Sequence, residues 1–199
     1  GGQQLAELGA AKQQQEKSGG ITVDNSAAEM HTTIYSISAS PQDGGVIWVG
    51  TDDGNVQLTR DGGKTWNNTV GNIRGLPKAS WVSWVEASRF DAATAYAAFD
   101  RHTFGDMDPH VYVTRDFGRS WTRIADKAQG VRGYAHVIKE DVVDRDLLFL
   151  GTEFGLWVSI DGGAHWAAFK GGKFPSVAVR DLAIQPRDHD LVLATHGRG

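Results

Sequence analysis

The sequence has 199 residues, a formal net charge of −4 and no cysteine, and 25 of its residues are glycine. This charge gives no electrostatic case for nucleic acid, because phosphate binding normally shows as a basic patch or stripe, and the lack of cysteine excludes a disulfide framework or thiolate metal site. No run of about 18 apolar residues is present, so no membrane-spanning helix is predicted. The glycine content and seven tryptophans favour an all-β protein with many tight turns.

The first segment, residues 1–20, is rich in glycine and glutamine and has few apolar positions. If this segment forms a helix, Leu5 and Leu8 would allow at most one helical turn to pack against the rest of the protein. We therefore predict a flexible or weakly helical lead-in at residues 1–20 and place the folded domain at residues 21–199.

Groups of short apolar strands then follow one another along the chain, and each group predicts one antiparallel sheet. The groups cover residues 32–70, 79–125, 134–170 and 177–199. Each of the first three groups contains four strands, whereas the last contains only two. A long polar insertion, residues 100–110, separates the second and third strands of the second group.

An eight-residue pattern recurs in the three complete groups, at residues 59–66, 114–121 and 159–166. Each copy reads Ser or Thr, any residue, Asp, any residue, Gly, any residue, a polar residue, Trp. Asp accepts backbone N–H hydrogen bonds in a tight turn, Gly adopts positive φ, and Trp anchors the turn to the sheet. The pattern predicts structural turns built on Asp61, Gly63, Trp66, Asp116, Gly118, Trp121, Asp161, Gly163 and Trp166, with His165 in the third copy where Thr or Ser is usual.

These turns resemble the Asp-box, or BNR repeat, of sialidases, sortilin-type proteins and some xyloglucan-cleaving enzymes. The strings at residues 46–54, 150–155 and 193–199 also resemble bacterial sortilin-like, glycosyl-hydrolase-like proteins. The resemblance implies an all-β fold, a β-propeller of four-stranded antiparallel blades in which the box joins the third and fourth strands. It also implies a secreted or periplasmic parent protein. We predict no cofactor.

About three and a half blades are present, whereas a closed propeller needs roughly four to eight. Two hypotheses stay open: two copies of the chain form one ring, or the chain is part of a longer propeller. Unpaired strand edges favour association. We therefore expect a homo-oligomer or the remainder of a longer protein.

Propeller topology predicts that most candidate functional groups share the face opposite the repeated turns, because successive strands run antiparallel. An exposed tryptophan there is a plausible platform for a sugar. We expect Trp81 and Trp84, three apart on a strand, to point to opposite faces. The candidate ligand-binding residues are Trp81, Asp100, Arg101, His102, Arg132, His136, Arg180, His196 and Arg198.

A glycosidase needs two carboxyl groups about 5 to 9.5 Å apart, and Asp52, Asp53 and Glu153 are the candidates for this pair. The alternative is that these residues only shape hairpin turns, where Asp and Gly suit the backbone geometry. In the insertion, His102, Asp106, Asp108 and His110 have metal-ligating side chains, but their spacing matches no zinc signature, so we predict no metal site.

The predicted function is a non-catalytic binding or interaction scaffold whose partner is a carbohydrate or a protein. The alternative is a carbohydrate-active glycoside hydrolase or a fragment of one. Convergence of two carboxylates in a cleft would distinguish the hydrolase from the scaffold.

Overall fold

The computed structural model describes residues 33–171, 174 and 176–197. The predicted lead-in at residues 1–20 and the candidate Arg198 lie outside these residues. None of the described residues belongs to a helix with the length and apolar character needed to cross a membrane.

The described part of the chain folds into four antiparallel sheets, three with four strands and one with two. Blade one comprises β1 (Ile34–Ala39), β2 (Ile47–Thr51), β3 (Val56–Thr59) and β4 (Asn67–Asn68). Blade two comprises β5 (Trp81–Ala87), β6 (Ala95–Arg101), β7 (Asp106–Thr114) and β8 (Thr122–Ala125). Blade three comprises β9 (Ala135–Glu140), β10 (Leu148–Thr152), β11 (Gly155–Ser159) and β12 (Ala167–Ala168), and blade four β13 (Ala178–Ile184) and β14 (Leu191–His196). Short 3-10 helices cover Val70–Asn72, His102–Phe104 and Lys127–Gln129.

Strands pair in chain order within every sheet, and the first strand of each blade contacts the first strand of the next. Hydrogen bonds between first strands support this contact: the Ser36 hydroxyl accepts from the Val85 backbone N–H, and the Ser83 hydroxyl donates to the Ala135 carbonyl. The predicted all-β fold, a partial β-propeller, is therefore confirmed.

The insertion at residues 100–110 is not the loop that its polar composition suggests. Instead, β6 and β7 continue past the blade as a hairpin, which the 3-10 helix His102–Phe104 closes. Asp106 anchors the hairpin, since it accepts a hydrogen bond from His110 Nε2 at 2.8 Å and pairs with Arg101 Nε at 3.4 Å. The polar residues of the insertion thus bond mainly to one another.

The hydrophobic core lies between blades rather than within one sheet. Trp48 of blade one and Phe99 of blade two share one buried cluster, and Ile138 of blade three packs with Val111 of blade two in another. A third cluster joins Leu182 of blade four to blade three. Because each cluster is shared by neighbours, every blade needs the next one to bury its apolar face.

The three repeated turns have the same hydrogen bonds. In the first, the Thr59 hydroxyl donates to Asp61 Oδ1 and accepts from the Gly63 N–H, while the Thr65 N–H and hydroxyl donate to the two carboxylate oxygens of Asp61. The second turn repeats this set. In the third, His165 Nδ1 lies 2.6 Å from Asp161 Oδ2 and replaces the missing hydroxyl.

The glycine of each turn differs in what surrounds it. All three have positive φ: 92° at Gly63, 75° at Gly118 and 93° at Gly163. A Cβ on Gly118 would lie 2.5 Å from Thr69 Cγ2 of blade one, and a Cβ on Gly163 would lie 2.9 Å from Ile124 Cβ of blade two. At Gly63 the nearest atom would be 3.7 Å away. The second and third turns therefore also serve as contacts with the preceding blade.

Candidate functional site

Each first strand carries a β-bulge at the same position of its blade. The residue left without a ladder partner is Tyr35 in β1, Ser83 in β5, His136 in β9 and Arg180 in β13. A bulge re-aims the side chain of the extra residue, and bulges are over-represented next to active sites. The four blades thus present four chemically different side chains at one end of the propeller.

The four bulged residues line one open groove, which has a volume of about 320 Å³. The other lining residues are Trp81, Trp84, Asp100, His102 and Asp181. Tyr35 is 56% exposed, and its ring meets that of Trp81 edge to face with 4.9 Å between the centroids. The groove has aromatic side chains on blades one and two and polar groups on blades two, three and four.

The prediction that Trp81 and Trp84 point to opposite faces was wrong. Trp81 pairs with Asp100 and Trp84 pairs with Ala98, two residues away on β6. Ser83 has no partner on β6, so the two tryptophans are effectively two positions apart and lie on the same side of the sheet. Both therefore line the groove. Trp84 is held by its indole N–H, which donates to Glu86 Oε2 at 3.0 Å.

A hydrogen-bonded network underlies the polar end of the groove. His136 Nε2 lies 2.8 Å from Glu153 Oε2, and the Arg180 guanidinium lies 3.5 Å from the same oxygen. Partial burial acts to raise the pKa of Glu153, but the hydrogen bonds from His136 and Tyr134 outweigh it and leave that pKa below its ordinary value. Burial lowers the pKa of His136. The pair is thus a neutral imidazole that donates to an ionised carboxylate.

A second pair, Asp100 and His102, forms the wall of the groove on blade two. His102 Nδ1 lies 2.6 Å from Asp100 Oδ1, which also accepts the His102 backbone N–H. The His102 ring stacks on Tyr134 of blade three with 4.6 Å between centroids. Burial and the hydrogen bond to Glu153 raise the pKa of Tyr134. Tyr134 therefore stays protonated and links both pairs across the blade junction.

Five of the predicted ligand-binding residues meet in this groove: Trp81, Asp100, His102, His136 and Arg180. The other candidates in the described part of the chain lie elsewhere. Arg101 bonds the Ser80 hydroxyl and Asp106, Arg132 lines a different cavity, and His196 ends β14 without lining the groove. Five of the candidates thus lie in one groove, the others lie outside it, and a role of any of them in ligand binding stays a prediction.

The three carboxylates proposed for hydrolysis do not line the groove. Asp52 accepts the Thr33 backbone N–H, and Asp53 accepts hydrogen bonds from Thr51 and Asn55 within its own turn. Both lie in the β2–β3 turn of blade one, whereas Glu153 lies in the β10–β11 turn of blade three. Blade two stands between them, and an acid–base pair formed from these residues stays a prediction.

Sequence reasoning did not include Tyr35, Ser83, Trp84 and Asp181 among the candidates. The signal that identifies Tyr35 and Ser83 is the alignment of first strands, in which they occupy the same position as His136 and Arg180. Strand alternation alone conceals this position because the bulge interrupts it. Among the residues that the structure describes, no three His, Asp or Glu side chains form a group that could hold a metal ion.

Three comparisons with known proteins show what the chain is similar to. No family model matches the chain. A segment of 78 residues is 28% identical to an oligoxyloglucan-reducing end-specific xyloglucanase of Emericella nidulans, and it covers 39% of this chain and 9% of that enzyme. The chain thus spans less than a tenth of the length of this curated relative.

Solved structures with a similar fold include an ancestral GH74 enzyme, which aligns over 83% of this chain with a TM-score of 0.64 and 17% identity. The GH74 xyloglucanase of Xanthomonas campestris aligns over 85% with a TM-score of 0.64 and 16% identity. YCF48 bound to D1 peptide aligns over 82% with a TM-score of 0.58 and 20% identity. These likenesses establish a β-propeller fold. The chain covers 22%, 28% and 48% of the three neighbours respectively.

Proposed function

We propose that the groove binds a carbohydrate chain and that these blades are a non-catalytic binding part of a larger carbohydrate-active propeller. The observation that carries the proposal is the aligned set of bulges, which brings aromatic and polar side chains into one open groove. Aromatic faces pack against the C–H faces of sugars, and a few placed polar groups bind the hydroxyls.

The charges of the groove favour an uncharged glycan. Asp100 and Asp181 line it, and its one guanidinium, on Arg180, is already paired with Glu153. An acidic sugar would meet two carboxylates without a free cation nearby. Xyloglucan is uncharged, and the similarity to xyloglucan-cleaving enzymes supports it as the first glycan to test.

Titration calorimetry of the chain with xyloglucan oligosaccharides and with polygalacturonate oligosaccharides tests this proposal. We expect saturable binding of the first and none of the second, and we expect Trp81→Ala to weaken binding by about tenfold or more. Phe169→Ala is the control, because Phe169 is an exposed aromatic residue that does not line the groove. Equal affinity of the Trp81→Ala variant would overturn the assignment.

Hydrolysis is the second candidate function, and the segment 28% identical to a xyloglucanase favours it. In this reading Asp52 or Asp53 acts with Glu153, or one of them acts with a carboxylate from another part of the protein. Incubation with glucans, xyloglucan and sialosides, followed by measurement of reducing sugar, tests it. No release of reducing sugar by the chain would exclude catalysis by these residues alone.

We further propose that the three repeated turns are Asp-boxes of the BNR type found in sortilin-like proteins. Their common hydrogen bonds from Ser or Thr to Asp and to the following Gly N–H support this assignment. We assign these turns a structural role, which is supported by their hydrogen bonds within each turn and by their location at the end of the blades opposite the groove.

We also propose that further blades complete the closed propeller, supplied either by a second copy of the chain or by a longer protein. Support comes from apolar side chains left exposed on β1, where Ile37 is 63% exposed, and on β14, where Val192 is 59% exposed. Light scattering over a concentration series tests the first option. A mass twice the chain mass of 21.5 kDa supports the dimer, and a mass of one chain at all concentrations contradicts it.

A further inference from the structure

A second cavity, of about 410 Å³, lies at the junction of blades two and three. It is lined by Met107, Asp108, Pro109, Lys127, Val131, Arg132, Gly133 and Phe154. None of these residues lines the carbohydrate groove. Tyr134 and Glu153 are the sequence neighbours of Gly133 and Phe154, and Tyr134 stacks on His102 of the groove.

Part of the lining of this cavity is apolar and partly open to solvent. Met107 is 43% exposed and Phe154 is 51% exposed, whereas Val131 is fully buried and forms the base. Together Met107, Val131 and Phe154 give the cavity an apolar surface of the kind that lines small-molecule sites. The flexible thioether of Met107, in the same lining as the Phe154 ring, adapts well to a flat aromatic guest.

The position of the Phe154 ring depends on a glycine. Gly133 has φ of 85°, and a Cβ there would lie 3.0 Å from Phe154 Cδ2 and 3.1 Å from the Phe154 backbone nitrogen. Any larger residue would displace the ring or the turn that carries it. The glycine therefore allows Phe154 to pack against the β8–β9 connection and form a wall of the cavity.

The cavity also carries a fixed cation. Arg132 Nη1 donates to the Lys127 carbonyl at 2.9 Å and to the Val131 carbonyl at 3.2 Å, which orients the guanidinium. Within the described ranges Arg132 has no carboxylate partner. Lys127 is paired with Asp108 at 2.8 Å. Two cations and one carboxylate give this cavity a net positive charge in a chain whose net charge is −4.

We propose that this cavity binds a small aromatic carboxylate, with the ring between Met107 and Phe154 and the carboxylate on Arg132. The volume lies within the usual range for small-molecule sites, about 300 to 1,000 Å³. Arg forms two parallel hydrogen bonds to a carboxylate, and the remaining guanidinium N–H groups are available for this. The site is independent of the carbohydrate groove and of the function proposed for it.

Hydrocinnamate, which has a phenyl ring and a carboxylate, is the probe. Acetate is the control that keeps the carboxylate but lacks the ring, and hydrocinnamamide is the control that keeps the ring but lacks the negative charge. The chain contains two methionines, Met30 and Met107. Isotope-labelled methionine methyl groups therefore give two NMR signals, which Met107→Leu assigns. We expect hydrocinnamate to shift the Met107 signal saturably, and each control ligand to bind at least about tenfold more weakly.

Arg132→Ala is expected to weaken hydrocinnamate binding by at least about tenfold. Arg187→Ala, which removes an exposed guanidinium on the β13–β14 loop, is expected to leave it unchanged. Binding of xyloglucan oligosaccharides by the Arg132→Ala variant shows whether the fold is intact; should that glycan not bind at all, an unchanged thermal unfolding curve serves instead. Equal affinity for hydrocinnamate and its amide, or an unaltered Arg132→Ala variant, would overturn the proposal.

Discussion

The two ends of the blades differ in how they use equivalent positions. At the end with the repeated turns, Asp61, Asp116 and Asp161 accept the same hydrogen bonds from residues at the same offsets. At the groove end, the aligned bulges hold a phenol, a hydroxyl, an imidazole and a guanidinium. Identical chemistry serves a task that every blade shares, which is folding, whereas divergent chemistry fits recognition of one particular ligand. Substitutions should therefore change stability at the turn end and ligand affinity at the groove end.

The largest effects on stability are expected from alanine at the turn glycines that contact the preceding blade, and Gly163→Ala tests this. The new Cβ would lie 2.9 Å from Ile124 Cβ at a φ of 93°, and strain with overpacking costs about 2–4 kcal/mol. Gly63→Ala has the same strain but an open neighbourhood, so it should cost about 1–2 kcal/mol. Urea unfolding of both variants measures the difference. Equal losses would mean that the turns do not contribute to blade contacts.

A smaller loss is expected from Trp166→Phe. The Trp166 indole N–H donates to the Ile124 carbonyl of the preceding blade at 2.6 Å, and loss of this bond costs about 1–3 kcal/mol. Trp66 donates only to Gly63 of its own turn, so Trp66→Phe should cost less than about 1 kcal/mol. Thermal unfolding of the two variants tests this order, and the reverse order would contradict it.

Low pH should reduce the contribution of the repeated turns to the unfolding free energy. Hydrogen bonds from Thr65 lower the pKa of Asp61 to about 2, and those from His165 do the same for Asp161. A depressed pKa stabilises the fold above the unfolded value of 3.8, and this stability is lost as the pH falls toward about 2. The Asp61→Asn, Asp161→Asn double variant should show a flatter decline of unfolding free energy over that range. An identical decline would exclude these turns as the cause.

The smallest effect on stability is expected from Tyr35→Ala at the groove end. Tyr35 is outside the strand ladder and 56% exposed, so the unfolding free energy should change by no more than about 0.5 kcal/mol. Xyloglucan binding should nevertheless weaken, since the Tyr35 ring lines the groove beside Trp81. A large loss of stability with unchanged binding would reverse the distinction between the two ends.

The fold could be read from the sequence because the turn pattern depends on local chemistry. Ser or Thr, Asp, Gly and Trp at fixed offsets form one hydrogen-bonded turn whatever the rest of the blade contains. Even His165 fits, because its ring nitrogen lies within hydrogen-bond distance of the Asp161 carboxylate, where the other turns have a hydroxyl. Strand direction alone predicted that the candidate residues share the end opposite these turns, and five of them line the groove there.

The details of the groove could not be read in the same way. The alternation of apolar and polar residues along a strand does not reveal where a bulge interrupts it. For this reason Trp81 and Trp84 were assigned to opposite faces and Tyr35 was not considered. Contacts across blade junctions, such as Arg180 with Glu153 and His102 with Tyr134, depend on tertiary packing between residues distant in sequence. Local patterns contain no information about such partners.

Because the hydrophobic clusters lie between blades, the stability of each blade depends mainly on the blades next to it. Each buried cluster belongs to one pair of adjacent blades, so the free energy of folding accumulates junction by junction, as it does in linear repeat proteins. The Gly163→Ala substitution should then destabilise the contact between blades two and three and leave the contacts between other blades unchanged. Hydrogen exchange along the chain would accordingly reveal separate cooperative units, each formed by two half-blades rather than by one sheet.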